Sequence, residues 1–371
     1  MNNTTFLEKL LDGAEVEWVA LGKVAEKISS GGTPKTGISE YYDGEIPWLR
    51  TQEVDFGEIW DTGVRITEEG VDNSSARWIP ANCVIIAMYG ATVGKIGINK
   101  IPMTTNQACA NIQLNEDTLN FRYLFHLLCS KYEYIKSLGS GPQTNINAGI
   151  VKKLQIPIPC PENPEKSLAI QAEIVRILDT FTELTAELTA ELTARKKQYN
   201  YYRDQLLTFD LPAGRQVEWT KLGEIAKIGT GSHDTKDAID EGDYIFYARG
   251  RKPLRLDSYD FDETAIITAG DGVGVGKVFH WAEGKYALHQ RAYRIVPGDD
   301  IESRYIYHYL ISTFYTYVKK VSVHASVTSL RKPMFLKLPI PIPPLKEQAR
   351  IVAILDKFDT LTHSISEGLP R

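Results

Sequence analysis

Two glycine-rich segments of the sequence have the residue types of a phosphate-binding loop. They are YGATVGKIG, which starts at Tyr89, and GDGVGVGKV, which starts at Gly270. A P-loop needs two glycines five residues apart, then lysine and serine or threonine, because its backbone cradles phosphates and its hydroxyl holds Mg²⁺. Neither segment has that spacing, and isoleucine or valine follows Lys95 and Lys277. Both segments are therefore predicted to be tight turns between strands.

Other motifs of catalysis and metal binding are also absent from the sequence. It has neither an Asn/Asp-Pro-Pro-aromatic motif for amino-methyl transfer nor an HExxH motif. Its 7 histidines show no i, i+4 spacing, and its 4 cysteines show no CxxC pairing, which favours reduced thiols in a cytoplasmic protein. The sequence thus predicts no catalytic residues and no metal site. A nuclease built from loosely spaced acidic residues has almost no motif and stays an alternative.

A different set of residues is suited to contact DNA. The loop SSGGTPKTG, from Ser29, offers backbone N–H groups, hydroxyls and a lysine that can approach phosphates, and GTGSHDTK, from Gly229, resembles it. RGRKPLR, from Arg249, is the densest basic cluster of the chain. Arginine pairs with guanine, and asparagine or glutamine with adenine. The candidate DNA-binding residues are Gly31, Gly32, Thr33, Lys35, Arg50, Lys95, Asn106, Gln107, Gln143, Asn145, Ser232, His233, Arg249, Arg251, Lys252, Lys277, His289, Gln290, Arg291 and Arg331. Taken singly, a residue of this kind is more often an ordinary surface or loop residue than a DNA contact.

Composition limits how such a surface could work. With 371 residues, 43% hydrophobic and 24% charged, the chain has the composition of a globular protein of more than one domain. No apolar run is long enough to span a membrane. The net charge of −5 argues against a free-standing, tight nucleic-acid binder. Basic residues must therefore cluster locally, or a partner must supply most phosphate contacts.

An internal repeat positions these residues. VEWVALGKVAEK, from Val16, recurs as VEWTKLGEIAK from Val217, and QAEIVRILDTFTEL, from Gln171, recurs as QARIVAILDKFDTL from Gln348. Four further blocks recur between them in the same order, among them an IPIP segment. Matched blocks in one order indicate a duplicated unit of roughly 180–200 residues.

Each unit combines short β-type runs and glycine-rich turns with a terminal helix. The IPIP segment before that helix cannot be helical, because each proline restricts itself and the residue before it. In the first copy, apolar residues at steps of three and four predict a helix from about Leu168 to about Thr208, which is about 60 Å long. Such a helix needs a partner, and the second-copy helix from Pro344 is the candidate. Trp18 and Trp219 occupy matched positions and are predicted to pack in the core.

The predicted organisation has five parts. They are an N-terminal helical segment at 1–15, a β-rich domain at 16–160, a spacer helix at 165–210, a second β-rich domain at 216–343 and a distal helix at 344–371. The spacer helix contains the tetrapeptide repeat TELTAELTAELTAR, from Thr182 to Arg195. This repeat is either a solvated helix face with leucines for packing or a spacer whose length is set in whole TAEL units.

The order of these blocks resembles the specificity subunits of type I restriction-modification enzymes. The resemblance rests on VEWVALGKVAEKISSGGTPK and its second copy, the IPIP segments, the two QxxIVxILDxF helices and RKKQYNYYRDQLL, from Arg195. The TAEL repeat and the EGLPR sequence at the end resemble the subgroup whose spacer helix carries tetrapeptide repeats. One departure is that the second copy has no counterpart of RKKQYNYYRDQLL, although FLEKLLDG, from Phe6, resembles part of it. The distal helix is therefore expected to be either truncated or simply shorter, which would affect the strength of assembly more than DNA reading.

The resemblance implies a fold and a set of partners. The fold would be α+β, with two globular β-rich target-recognition domains separated by long antiparallel coiled-coil helices. Each domain would read half of a split site in double-stranded DNA, and the helices would bind two modification (methyltransferase) subunits, which restriction subunits join. S-adenosylmethionine, ATP and Mg²⁺ would belong to those partners, and this chain would bind no cofactor. The alternatives are a DNA-modifying enzyme with built-in recognition domains and a scaffold that does not bind DNA.

Overall fold

The computed structural model describes residues 13–139, 145–209, 217–321 and 329–368. Of the predicted N-terminal helical segment, only residues 13–15 fall in these ranges, and they form a turn that leads into the first strand. The chain divides into two compact units, unit 1 at Met1–Leu184 and unit 2 at Thr185–Arg371. The division falls within the long helix, so each unit includes part of it.

Unit 1 builds three sheets from short strands. Its strands are β1 (Val16–Ala20), β2 (Ala25–Ser30), β3 (Tyr42–Leu49), β4 (Gly57–Ile59), β5 (Arg65–Ile66), β6 (Trp78–Ile79), β7 (Val84–Ala87), β8 (Ile96–Asn99), β9 (Met103–Thr105), β10 (Cys109–Leu114) and β11 (Gln155–Pro159). They form sheets in the order β2-β10-β7-β8-β4, β5-β3-β9-β6 and β1-β11. Its helices are α1 (Leu21–Val24), α2 (Glu68–Asp72), α3 (Phe121–Ser130), α4 (Tyr132–Ser137), α5 (Ala148–Lys153) and the first part of α6 (Pro164–Leu207).

Unit 2 repeats this arrangement. Its strands are β12 (Glu218–Lys221), β13 (Ala226–Thr230), β14 (Tyr244–Tyr247), β15 (Leu254–Leu256), β16 (Phe261–Asp262), β17 (Ala265–Ala269), β18 (Phe279–Ala282), β19 (Lys285–Leu288), β20 (Ala292–Pro297) and β21 (Pro339–Ile342). They form sheets in the order β13-β20-β17-β18, β15-β14-β19-β16 and β12-β21. Its helices, beyond the end of α6, are α7 (Leu222–Ile225), α8 (Ser303–Val321), α9 (Lys332–Leu336) and α10 (Leu345–Gly368).

The two units share strand pairing as well as strand order. Strand β3 runs parallel to β9 in unit 1, and β14 runs parallel to β19 in unit 2. The IPIP segments form β11 and β21, each of which pairs with one strand only, so prolines that cannot donate to a ladder are tolerated there. The predicted α+β fold of two β-rich domains with a long helix between them is confirmed.

The prediction that Trp18 and Trp219 pack in the core is wrong. Their side chains are 56% and 47% exposed. The reason is the alternation of side chains along a strand, which places Trp18 opposite Pro157 on the outer face of its sheet. The inner face carries Ile156, which is fully buried. The ammonium nitrogen of Lys131 lies 4.5 Å from the centre of the Trp18 ring.

A matched ion-pair cluster fastens each domain to its terminal helix. In unit 1, Arg122 on α3 donates from Nε and Nη2 to the two carboxylate oxygens of Asp179 on α6, at 2.8 and 2.7 Å. His126, one turn further along α3, donates from Nε2 to the same carboxylate at 2.7 Å. In unit 2, Arg304 on α8 donates from Nε and Nη2 to one carboxylate oxygen of Asp356 on α10, at 3.2 and 2.6 Å, and His308 donates to the same oxygen at 2.8 Å. These residues lie in the helical blocks that recur in the sequence, so the shared contacts explain why those blocks recur.

The second part of α6 lies beside α10 within unit 2. The rings of Tyr199 and Tyr202 pack on Phe358, with centres 6.1 and 5.7 Å apart. Leu207, near the end of α6, is buried in the same apolar cluster as Leu355. Nowhere in the described ranges is a helix both long and apolar enough to cross a membrane.

Candidate nucleic-acid interface

In unit 1, the candidate residues lie on loops that meet at one end of the sheets. We call residues 31–35, 50–56, 89–95, 106–108 and 145–147 loop cluster 1. Backbone groups join these loops to one another and to the strand ends: Gly32 N to Thr105 O (2.9 Å), Asn106 N to Leu49 O (2.9 Å), Met88 N to Ala108 O (2.8 Å) and Ile146 N to Met88 O (3.0 Å). Because these backbone bonds tie the loops to strand ends and to one another, the cluster is a defined surface rather than a set of independent loops. Gln143, a further candidate, lies outside the described residues.

The glycines of loop cluster 1 have a different role from the predicted one. Gly31 and Gly32 are buried, and the N–H of Gly32 is already bonded to Thr105. A Cβ on Gly31 would lie 1.8 Å from the Thr105 carbonyl oxygen, so only glycine allows the two backbones to come this close. The matched Gly231 stands in the same relation to Leu288, also at 1.8 Å. These glycines shape the loop and do not present N–H groups to a phosphate.

The exposed part of loop cluster 1 is polar and nearly neutral. Thr33 and Lys35 are exposed, and the hydroxyl of Thr33 donates to the amide oxygen of Gln107. The two remaining cations each have a local carboxylate: Arg50 lies 3.4 Å from Glu53, and Lys95 lies 2.6 Å from Asp55. The donors left for a ligand are therefore mainly amide groups, those of Asn106, Gln107 and Asn145. The Oδ1 atom of Asn145 is buried and has no hydrogen-bond partner among the described residues.

Unit 2 carries the matching surface, which we call loop cluster 2. It consists of residues 231–235, 248–252, 270–277, 289–291 and 329–331. Three backbone bonds join the loops at places equivalent to those in unit 1: His289 N to Tyr247 O (3.0 Å), Gly270 N to Arg291 O (2.8 Å) and Leu330 N to Gly270 O (2.7 Å). A fourth bond runs from Gln290 N to His233 O (2.9 Å). The phosphate-like segments form turns in both clusters, where the matched Gly90 and Gly272 have φ angles of 82° and 79°.

His289 supports loop cluster 2 from inside and does not belong to its surface. The residue is 1% exposed, its ring stacks on Phe246, and its Nδ1 atom accepts the N–H of Arg291 at 2.9 Å. Burial, and then the charge of Arg249, lowers its pKa, so the ring stays neutral. His233 and Ser232 are also engaged locally, since both lie within 3.3 Å of an Asp260 carboxylate oxygen.

The exposed part of loop cluster 2 is basic. Arg249 and Arg291 each donate from Nη1 to one carboxylate oxygen of Asp271, at 3.0 and 2.9 Å. Arg251, Lys252, Lys277, Gln290 and Arg331 are exposed, and Lys277 lies 5.0 Å from the centre of the Tyr315 ring. Burial of the Asp271 carboxyl opposes ionisation, but the hydrogen bonds from the two arginines prevail and lower its pKa. No local pattern in the sequence indicated a role for Asp271, because its partners lie 22 and 20 residues away.

Comparison with known proteins identifies the family. The model of the type I restriction modification DNA specificity domain matches residues 14–195 and again 215–371. The chain belongs to this family. The EcoprrI specificity subunit of Escherichia coli is 36% identical over 386 residues, which cover 99% of this chain and 93% of that one. A putative type I specificity subunit of Haemophilus influenzae is 32% identical over 404 residues, covering 100% and 94%.

The fold of the specificity-subunit family agrees with the geometry described above. The crystal structure of the type I restriction-modification S subunit from M. genitalium superimposes with a TM-score of 0.64 at 16% identity, over 96% of this chain and 93% of that one. As a member of the family, this chain is a DNA-recognition subunit rather than an enzyme. The first match of the specificity domain covers most of unit 1, and the second lies within unit 2. Loop clusters 1 and 2 are thus the same part of two copies of one domain.

Proposed function

We propose that each unit reads one half of a split, asymmetric site in double-stranded DNA through its loop cluster. The observation that carries this proposal is that candidates far apart in sequence meet at one end of each domain. Matched positions carry different residues: the buried Ala108 of unit 1 corresponds to the exposed Arg291 of unit 2. Different side chains on the same framework should select different bases.

The partners form the second part of the proposal. Two modification subunits would bind this chain, restriction subunits would join that core in the cytoplasm, and S-adenosylmethionine, ATP and Mg²⁺ would be bound by those partners. The net charge of −5 and the paired cations of loop cluster 1 support a partner that supplies phosphate contacts. His308, Asp356 and Asp359 do come within 4.8 Å of one another, but Arg304 lies 2.6 and 3.7 Å from the two carboxylates and explains this group without a metal.

The experiment exchanges one domain at a time. Methylome sequencing of a host with and without the gene should reveal a bipartite methylated motif. Replacing residues 17–153 by the same domain of a relative should change one half of that motif only, and the second half serves as the internal control. A change in both halves would contradict the modular reading. Absence of DNA binding, even with the modification subunits present, would favour the scaffold alternative.

We also propose that the TAEL repeat sets the spacing between the half-sites, as in the subgroup with tetrapeptide spacers. Its support is that α6 continues without a break through the repeat, where Thr189 and Thr193 donate to carbonyl oxygens four residues earlier, at 2.8 and 2.9 Å. A continuous helix transmits both length and rotation, because each added residue contributes about 1.5 Å and about 100°.

A further inference from the structure

One carboxylate holds two arginines on the surface of loop cluster 2. Asp271 lies in the turn after β17, Arg249 follows β14, and Arg291 follows β19. The Asp271 side chain is 19% exposed, whereas those of Arg249 and Arg291 are 42% and 63% exposed. The three residues therefore form a partly shielded acid with two exposed guanidinium groups, which we call the Asp271 group.

Stability alone does not explain the Asp271 group. The loops it joins are already connected by the backbone bonds from Gly270 N to Arg291 O and from His289 N to Tyr247 O. Exposed ion pairs contribute little, since solvent screens them and two long side chains lose freedom. What the carboxylate does achieve is to fix the orientation of two side chains that would otherwise sample many rotamers. A fixed fork of donors loses less freedom when it meets a matching ligand.

The remaining donors point to a particular ligand. A guanidinium has five N–H groups, and each arginine donates one of them to Asp271. Guanine offers two acceptors, O6 and N7, on its major-groove edge, which fit two parallel donors, whereas adenine and cytosine place an amino group there. A phosphate gains less here than at two unpaired arginines, because the Asp271 carboxylate neutralises one of the two positive charges. A neutral base edge depends on the donors rather than on that charge.

We propose, on the basis of the function proposed above, that Arg249 and Arg291 recognise guanine in the half-site read by unit 2, and that Asp271 is their positioning residue. Unit 1 has no equivalent, since Tyr89 and Ala108 stand at the positions of Asp271 and Arg291. The half-site read by unit 1 is therefore an internal control on the same DNA.

The test uses the complex of the full chain with its modification subunits and a duplex containing the methylated motif, whose unit 2 half is assigned by the domain exchange. Each guanine is replaced in turn by 7-deazaguanine, which lacks the N7 acceptor, and affinity is measured at fixed salt. In the unit 2 half-site we expect a loss of about 5- to 150-fold at the contacted guanines. R291A should lose at least as much affinity on normal DNA, and it should lose no more when 7-deazaguanine replaces the guanine that Arg291 contacts.

D271N separates positioning from folding. It keeps the shape and one acceptor oxygen but removes the charge that holds both guanidinium groups. We expect binding to non-specific DNA to stay equal or rise, while the preference for guanine over adenine at the contacted positions falls; D257N, which removes an exposed charge elsewhere in unit 2, should leave that preference unchanged. A unit 2 half-site without guanine, or one that tolerates 7-deazaguanine throughout, overturns the assignment and leaves the proposed function standing. Absence of any bipartite motif overturns both.

Discussion

Removing the carboxylate of Asp179 should loosen the attachment of α3 to α6. Asp179 accepts three hydrogen bonds, two from Arg122 and one from His126, and its side chain is 24% exposed. A hydrogen bond to a charged group contributes about 1.5–3 kcal/mol. Two features reduce the total: water reaches the pair, and Arg122 keeps a contact to Glu58 at 2.5 Å. We therefore expect Asp179→Ala to lower the free energy of unfolding of unit 1 by about 2–3 kcal/mol.

The assay must resolve the two units, because a chain with two domains need not unfold in one step. Urea unfolding of the full chain is therefore combined with hydrogen exchange, which should show faster exchange in α3 and unchanged protection in α8. The matched control is Glu173→Ala, which removes an exposed pair with Arg176 on the same helix and should leave the free energy of unfolding nearly unchanged, because solvent screens the pair. If both variants unfold alike and α3 keeps its protection, the cluster does not fasten the domain.

Three further outcomes are expected. Burial lowers the pKa of His308 from its ordinary 6.5. As pH falls, the unfolded chain therefore binds more protons than the folded chain, and unit 2 should lose stability below about pH 6.5. His308→Gln should reduce the change of the urea midpoint between about pH 7.5 and 5.5. Gly31→Ala should cost about 1–3 kcal/mol in urea unfolding because its Cβ meets the Thr105 carbonyl, whereas Gly37→Ala, with open space, should cost far less. Inserting one TAEL unit after Leu192 adds about 6 Å and a net rotation of about 40°, so the methylated half-sites should move apart by about one base pair, whereas two added residues should abolish binding.

Patterns that depend on local sequence predicted the fold well. The IPIP segments, the long helix and the glycine-rich turns all follow from backbone preferences of a few adjacent residues. The repeat then required the same elements to occur twice, and the strand pairings of units 1 and 2 agree. The parallel pairing of β3 with β9 could not be predicted in this way, because it joins Trp48 to Thr104 across many intervening residues.

The surface residues were harder to assign from sequence. Trp18 and Trp219 are apolar and matched, which favours a core position, but the face a strand residue occupies depends on what covers the sheet. His289 lies in a polar loop, which suggests exposure, yet the ring of Phe246 and the neighbouring loop cover it. Both errors have one cause. The burial of a residue is decided by tertiary packing, and the residue's own type is only one of the factors that determine that packing.

Comparing the two copies distinguishes residues that hold the domain together from residues that vary on its surface, which a single domain would not allow. Arg122 and Arg304, with their aspartates, repeat because each domain must be fastened to a helix in the same way. The loop clusters stand on equally matched strands, where Leu49 and Tyr247 end parallel pairs, but their exposed side chains differ. The framework is constant up to the strand ends and variable beyond them. One loop cluster can therefore change without disturbing the attachment of its domain to the terminal helix. The nearly neutral loop cluster 1 and the basic loop cluster 2 should accordingly differ in the salt dependence of binding, with the steeper slope for contacts made by unit 2.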